Sequence, residues 1–169
     1  MSDPSDSEPA ASFDAARFRQ VLGHFATGVT VVAVANEGQP VGLAVGAFCS
    51  LSLDPPLVLF CPDRGSSTFP AIREAGVFCV NILSKDQEDI CRVFAGKGPD
   101  KFRGIGWKPA GSGSPIIHDA LAWVDCRVDA IHDAGDHFIV VGRVLDLGLD
   151  QERAGPLLFY RGGYGRFES

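Results

Sequence analysis

From Ala122 to Leu149 the chain reads as two long strands and the turn between them. Ala122, Val124, Cys126, Val128 and Ala130 alternate with Trp123, Asp125, Arg127 and Asp129. That period of two suits a half-buried β-strand. Asp133-Ala134-Gly135-Asp136 reads as a hairpin, and His137 to Leu149 as the returning strand. A chain committed to such a pair is a β protein, and the remaining segments are read around it.

Val29 to Ala35 is a valine-rich buried strand, Asn36-Glu37-Gly38-Gln39 a turn, and Pro40 to Phe48 the return. Pro55-Pro56 breaks the chain before a strand from Leu57 to Cys61, and Val77 to Leu83 forms another. Leu157 to Tyr160 is a last short strand before the glycine-rich end, Arg161-Gly162-Gly163-Tyr164-Gly165. Helices are few. Ser12 is placed to cap one over Phe13 to Phe25, with Phe18, Val21, Leu22 and Phe25 on one apolar face. Ser66, Ser67 or Thr68 caps a short one ending at Gly76, and Lys85 to Phe94 carries Ile90, Val93 and Phe94 on one side. Gly96 to Pro115, rich in glycine and proline, reads as a long loop. Many short strands with few helices predict a mainly β fold of the barrel type.

The 169 residues are enough for one domain with a real core, expected over 13–169 behind a disordered acidic tail at 1–12. A net charge of -6 argues against a nucleic-acid surface, and no apolar run approaches the roughly 20 residues of a membrane span. The five cysteines, Cys49, Cys61, Cys79, Cys91 and Cys126, contain no Cys-x-x-Cys pair. They read as reduced, core-filling thiols in a cytoplasmic protein. There is no phosphate-binding Gly-x-x-x-x-Gly-Lys-Ser/Thr loop, no dinucleotide fingerprint and no Gly-x-Ser-x-Gly elbow. His132, Asp133, Asp136 and His137 cluster in sequence, but a hairpin points them in several directions, so no metal site is expected.

Several segments in order resemble the short-chain flavin reductases, which have the FMN-binding split β-barrel fold. They are Phe25-Ala26-Thr27-Gly28-Val29-Thr30-Val31-Val32, the run Phe48 to Val58 with its Ser-Leu-Asp-Pro-Pro turn, and Val77 to Leu83. Phe94 with Asp100-Lys101-Phe102 and Trp107, then Gly135-Asp136-His137, then Pro156 to Gly162 complete the set. The likeness spans about Phe13 to Tyr164 and is strongest to the reductase components of two-component monooxygenases. It implies hydride transfer from NADH or NADPH to FMN or FAD, a homodimer with its flavin sites near the subunit boundary, and a separate monooxygenase that receives reduced flavin.

The resemblance also implies a site. Small residues over Val41, Gly42, Leu43, Ala44, Gly46, Ala47, Phe48 and Ser50 let backbone approach a flat ring. Gly46 and Ala47 stand where many family members carry hydroxyls, so contacts there are limited to backbone. Cys61, Pro62, Asp63, Arg64, Ser66, Ser67 and Thr68 offer one arginine and three hydroxyls near a helix start. By itself that reads as an ordinary capped helix with a surface arginine; with the resemblance it reads as a phosphate cradle. His137 has a bland reading, a half-exposed strand-start histidine, and a functional one, beside the nicotinamide and the flavin. Tyr160, Arg161 and Gly162 are either a strand end or contacts to the dinucleotide, and Phe94 either core or flavin contact. Two other functions compete: a non-catalytic flavin-binding module, which would not need Gly135-Asp136-His137 with Tyr160-Arg161, and an oxidase of the pyridoxamine-phosphate type, which would carry more basic phosphate contacts than Arg64 alone.

Overall fold

The computed structural model of the chain describes residues 13–149 and 155–167. The expected disordered tail, with Ser12, lies outside them. Among the described residues three short helices, α1 (Ala15–Leu22), α2 (Phe69–Ala75) and α3 (Glu88–Ala95), accompany twelve strands. In the first half these are β1 (Thr27–Gly28), β2 (Thr30–Asn36), β3 (Gln39–Val45), β4 (Phe48–Leu53), β5 (Pro56–Phe60) and β6 (Val77–Ile82). The second half adds β7 (Trp107–Pro109), β8 (Pro115–Ile117), β9 (Ala122–Ala134), β10 (His137–Leu149), β11 (Leu157–Tyr160) and β12 (Gly163–Arg166).

Seven strands form one antiparallel sheet in the order β3-β2-β6-β9-β10-β5-β4. The sheet curls until its two ends share a core. Leu43 and Val45 of β3 join Val58 and Phe60 of β5, Phe78 and Val80 of β6 and Val140 of β10, and Phe69 and Ile72 of α2 close the opening. No ladder joins β3 to β4. The chain passes between them through a bend at Gly46-Ala47, so the barrel is split rather than closed. A second core lies on the other face of β2, where Val29, Val31 and Ala33 pack with Leu83, Cys91, Phe94, Phe102, Ile117 and Leu157. Alternation along β2 serves both, with Val32 and Val34 turned to the first core.

The long β9–β10 pair forms with its turn at Gly135-Asp136. Two register shifts interrupt it, between Val141 and Gly142 and between Val144 and Asp146. The first inserts Asp129 and changes the parity of β9, so Val124 and Val128 are followed by Ile131 against the first core. Asp125, read as an outward residue, is only 1% exposed. Its carboxylate accepts from the Ser112 backbone N–H at 2.9 Å and from the Ser112 hydroxyl at 2.6 Å, which pins the 110–114 turn.

The expected long loop contains a hairpin, β7–β8, with Trp107 opposite Ile117. Asn81, fully buried on β6, ties it down: its side-chain N–H₂ donates to the carbonyls of Pro115 and Val31, and its oxygen accepts from Ile117 N–H at 2.7 Å. Besides β7 and β8, three strands escaped the sequence reading: β1 is only two residues long, β4 is a mostly exposed edge strand, and β12 is built from glycine-rich chain. The first helix is shorter than expected. Asp14 caps it by accepting from Arg17 N–H at 2.8 Å, and it ends at Leu22. Phe18, Val21, Leu22 and Phe25 are exposed rather than packed on the sheet. On α3, Ile90 and Phe94 face inward, but Val93 is exposed.

Candidate functional site

The bend between β3 and β4 opens onto a groove of about 610 Å³. Gly46, Ala47, Phe48 and Cys49 form one side, and Phe25, Ala26, Thr27 and Gly28 the other. Leu59 of β5 and Phe159 of β11 complete an apolar lining. Ligand clefts span roughly 300–1,000 Å³ and are mostly apolar with a few polar groups. The Thr27 hydroxyl and the backbone along 46–49 supply polar groups here. A flat, largely apolar ring system fits that lining, and the small residues Gly28, Gly46 and Ala47 keep side chains out of its way.

The predicted ring-binding residues divide. Gly46, Ala47 and Phe48 line the groove. Val41, Gly42, Leu43 and Ala44 do not, because β3 spends them on packing. Val41 and Leu43 pack with the first core, Ala44 with the second. A Cβ at Gly42 would come within 2.9 Å of the Phe94 ring, so Gly42 makes room for Phe94 and not for a ligand. Phe94 is 1% exposed, which decides between its two readings in favour of core. Ser50 is exposed on β4, beyond the groove's lining.

The segment Cys61 to Thr68 is already bonded within the protein. The Ser66 hydroxyl accepts from the N–H groups of Thr68 and Phe69 just before and at the start of α2, and the Thr68 hydroxyl donates to the Gly42 carbonyl. Ser67 is exposed and Pro62 buried. The Asp63 carboxylate accepts from Gly65 N–H at 2.6 Å. Arg64 donates through Nε to the Gly135 carbonyl at 2.6 Å and through Nη2 to Asp133 Oδ1 at 2.5 Å, with its guanidinium 4.5 Å from the Phe138 ring centroid. The arginine and two of the three hydroxyls thus make hydrogen bonds within the protein, and Ser67 is exposed.

The same segment joins the groove to His137. Cys61 N–H donates to the Ala47 carbonyl at 3.0 Å, and Phe138 N–H to the Pro62 carbonyl at 3.0 Å. Asp63 pairs with His137 in an antiparallel bridge, continuing the register that sets Val140 opposite Phe60 and Leu59 opposite Cys49. Side chains alternate across a strand. Phe48, Phe60, Phe138 and Val140 turn to the first core. Ala47, Cys49, Leu59, Cys61, Asp63 and His137 consequently share the opposite face, the face of the groove. The His137 ring is half-buried, with Nδ1 2.7 Å from Asp136 Oδ1. That hydrogen bond holds the Asp136 carboxyl below the usual carboxylate range. Burial, with the nearby Cys49 thiol second, pushes the Cys61 thiol up.

At the other rim, Tyr160, Arg161 and Gly162 form the turn from β11 to β12. Arg161 N–H donates to the Gly23 carbonyl at 2.9 Å, and the Tyr160 ring stands edge-on to His24. The turn thus abuts the Leu22–Gly23 rim of the groove. Sequence reasoning missed Leu22, Gly23, the run Phe25 to Gly28, Cys49, Leu59 and Phe159 as lining residues. Phe25 carried a usable signal, a large apolar residue before the small run Ala26-Thr27-Gly28, and it is 75% exposed. Cys49 had been grouped with the buried cysteines. It is exposed, because β4 is an edge strand, and Cys61 is half-buried; Cys79, Cys91 and Cys126 are buried, and all five are free thiols.

A split barrel of this architecture is the fold of flavin reductases, a class of flavin-handling oxidoreductase. The family model described as flavin reductase like domain matches residues 22–168, and the chain belongs to that family. It is 48% identical over 155 residues to the reductase subunit HsaB of a flavin-dependent monooxygenase from Rhodococcus jostii, covering 92% of this chain and 79% of that one. The crystal structure of nitrilotriacetate monooxygenase component B from Mycobacterium thermoresistibile superposes with a TM-score of 0.89 at 52% identity, covering 90% of this chain and 86% of that one. An NADH:FAD oxidoreductase from Streptomyces globisporus, in complex with NAD and FAD fragments, gives 0.86 at 35% identity over 92% and 93% of the two chains.

Proposed function

We propose that this chain is the reductase half of a two-component system. It binds FMN or FAD in the groove beside Gly46-Ala47-Phe48, reduces it with NADH or NADPH, and passes reduced flavin to a separate flavin-dependent monooxygenase. One observation carries the reading. The register from β4 through β5 to β10 places Ala47, Cys61 and His137 on one sheet face, two strand spacings of about 4.8 Å and two residues of about 3.4 Å apart.

Bound flavin supplies the redox chemistry, accepting a hydride from the reduced nicotinamide. The chain's residues bind, orient and exclude water. Phe25, Leu59 and Phe159 give the ring an apolar bed, and Thr27 with the backbone at 46–48 gives it polar contacts. His137 shares the sheet face of Ala47 and Cys61, its ring held by Asp136, where it would hold the nicotinamide amide or balance charge on the reduced ring. Tyr160 and Arg161 flank the same cleft and are placed to meet the dinucleotide's phosphates. Gly162 lets that turn close, with φ +81°.

The working unit is a homodimer. The β5–β10 ladder ends at Arg143 opposite Leu57, so the stretch of β10 beyond Arg143 offers an open edge among the described residues. It carries Leu145, Leu147 and Leu149, all more than half exposed, and Leu53 on β4 is almost wholly exposed. A second copy buries such leucines by the commonest symmetry, a two-fold. Light scattering on Leu147→Asp should give the 18.0 kDa monomer where the parent chain gives twice that. Free thiols throughout agree with a reducing, cytoplasmic setting. Among the described residues no helix is long and apolar enough to cross a membrane.

Mixing the protein with each flavin and each nicotinamide in turn tests the activity. Loss of reduced-nicotinamide absorbance with bleaching of the flavin supports the reading. Flavin binding with no bleaching by either nicotinamide would make the chain a binder and not a reductase.

A further inference from the structure

Arg64 was expected to meet a phosphate, and the structure gives it other work. Its three donors reach into one short hairpin. The backbone N–H binds the Asp136 carbonyl at 3.0 Å, Nε the Gly135 carbonyl and Nη2 the Asp133 carboxylate. The guanidinium plane also covers Phe138. These four partners are the residues on either side of His137, while His137 itself points to the opposite face beside Asp63.

We propose that Arg64 is a positioning residue for His137. It clamps the Asp133–Phe138 hairpin from behind and so sets where the imidazole stands over the groove. The inference rests on the reading of His137 given above.

The physics favours a clamp over a stabilising ion pair. The Arg64 and Asp133 side chains are 42% and 78% exposed, and an exposed pair contributes little to folding. Its value is geometric. A planar fork that meets a carbonyl and a carboxylate at once fixes the hairpin end against the 61–64 segment with directional specificity. Gly135, at φ +63°, leaves its carbonyl open to the fork. The clamp also registers the hairpin to the groove, since Cys61, three residues before Arg64, is bonded to Ala47. Lysine, a point charge without the fork, cannot reproduce the arrangement.

The test is a double-mutant cycle read by stopped-flow reduction of flavin-saturated enzyme with NADH. Arg64→Met keeps the stem over Phe138 and removes the fork; Asp133→Asn removes the charge partner alone and guards against a misfolded first variant. Each should slow reduction by roughly three- to tenfold, through kcat with KM for NADH little changed, and leave flavin affinity intact. Arg64→Lys should recover only part of the rate. In a His137→Ala background Arg64→Met should have no further effect. Additive losses, or weakened flavin binding with a normal rate for the bound fraction, overturn the role of Arg64 while sparing His137. If His137→Ala alone leaves the rate unchanged, the reading of His137 fails and this inference with it.

Discussion

Asp63 stands directly opposite His137 in an antiparallel bridge that extends the β5–β10 ladder past the end of β5. The segment at 61–64, read as a phosphate loop, is in this way an added strand that links the groove's backbone to the histidine hairpin. Arg64 and His137, which the sequence presents as two separate sites, occupy the two faces of that one piece of sheet.

The groove makes the first prediction. Ala47 lines it and is exposed. Ala47→Trp places an indole where the ring system is proposed to lie. Flavin affinity should fall at least tenfold, about 1.4 kcal/mol, with the melting temperature unchanged. Equal affinity in a fluorescence titration would move the flavin elsewhere.

Asn81 makes the second. Asn81→Ala leaves the Ile117 N–H without its acceptor and the Pro115 carbonyl without its donor, both deep beside the second core. The loss should be roughly 1–3 kcal/mol of folding stability. Urea unfolding measures it, and a variant as stable as the parent would show that the β7–β8 hairpin is held by packing alone.

Alkaline pH provides the third. Burial, aided by the charge of Asp125, raises the Cys126 thiol from 9.0 to about 12, and burial raises Cys79 as well. The hydrogen bond from Cys91 holds the Tyr164 phenol up at about 12. Unfolded, the two thiols shed protons near pH 9; folded, they keep them. Their contribution is therefore whole below about pH 9 and is lost as pH rises toward 12. Denaturant midpoints should fall over that range, and Cys126→Ala should flatten the fall. A midpoint that holds steady to high pH contradicts the assignment.

Much of the fold was legible. Alternation from Ala122 to Ala130, the hairpin at Gly135 and the valine run at β2 are local signals, and each gave its strand. β4 and β12 were not legible, because edge strands and glycine-rich chain lack the period that burial imposes. The Asp129 bulge could not be seen either, since it exists only in the pairing of β9 with β10. Of the site, Gly46-Ala47-Phe48 and His137 were named from the resemblance; Ala47 and His137 fall on one sheet face, while Phe48 lines the groove and also packs against the first core. The packing of Val41–Ala44 and Phe94 was not legible for one reason: small residues that suit a ligand equally suit a neighbouring ring, and Gly42 makes room for Phe94. The hairpin contacts of Arg64 were not legible because its partners, Asp133 and Gly135, are about seventy residues away along the chain.

In the proposed mechanism His137 acts on the nicotinamide beside the groove. Stopped-flow mixing of flavin-loaded His137→Ala with NADH is the direct test. Flavin affinity should stay close to that of the parent and the reduction rate should fall by one to two decades, roughly 1.4–2.8 kcal/mol of transition-state stabilisation. A variant that binds less flavin but reduces the bound fraction at the parent rate would contradict it and make His137 a flavin contact.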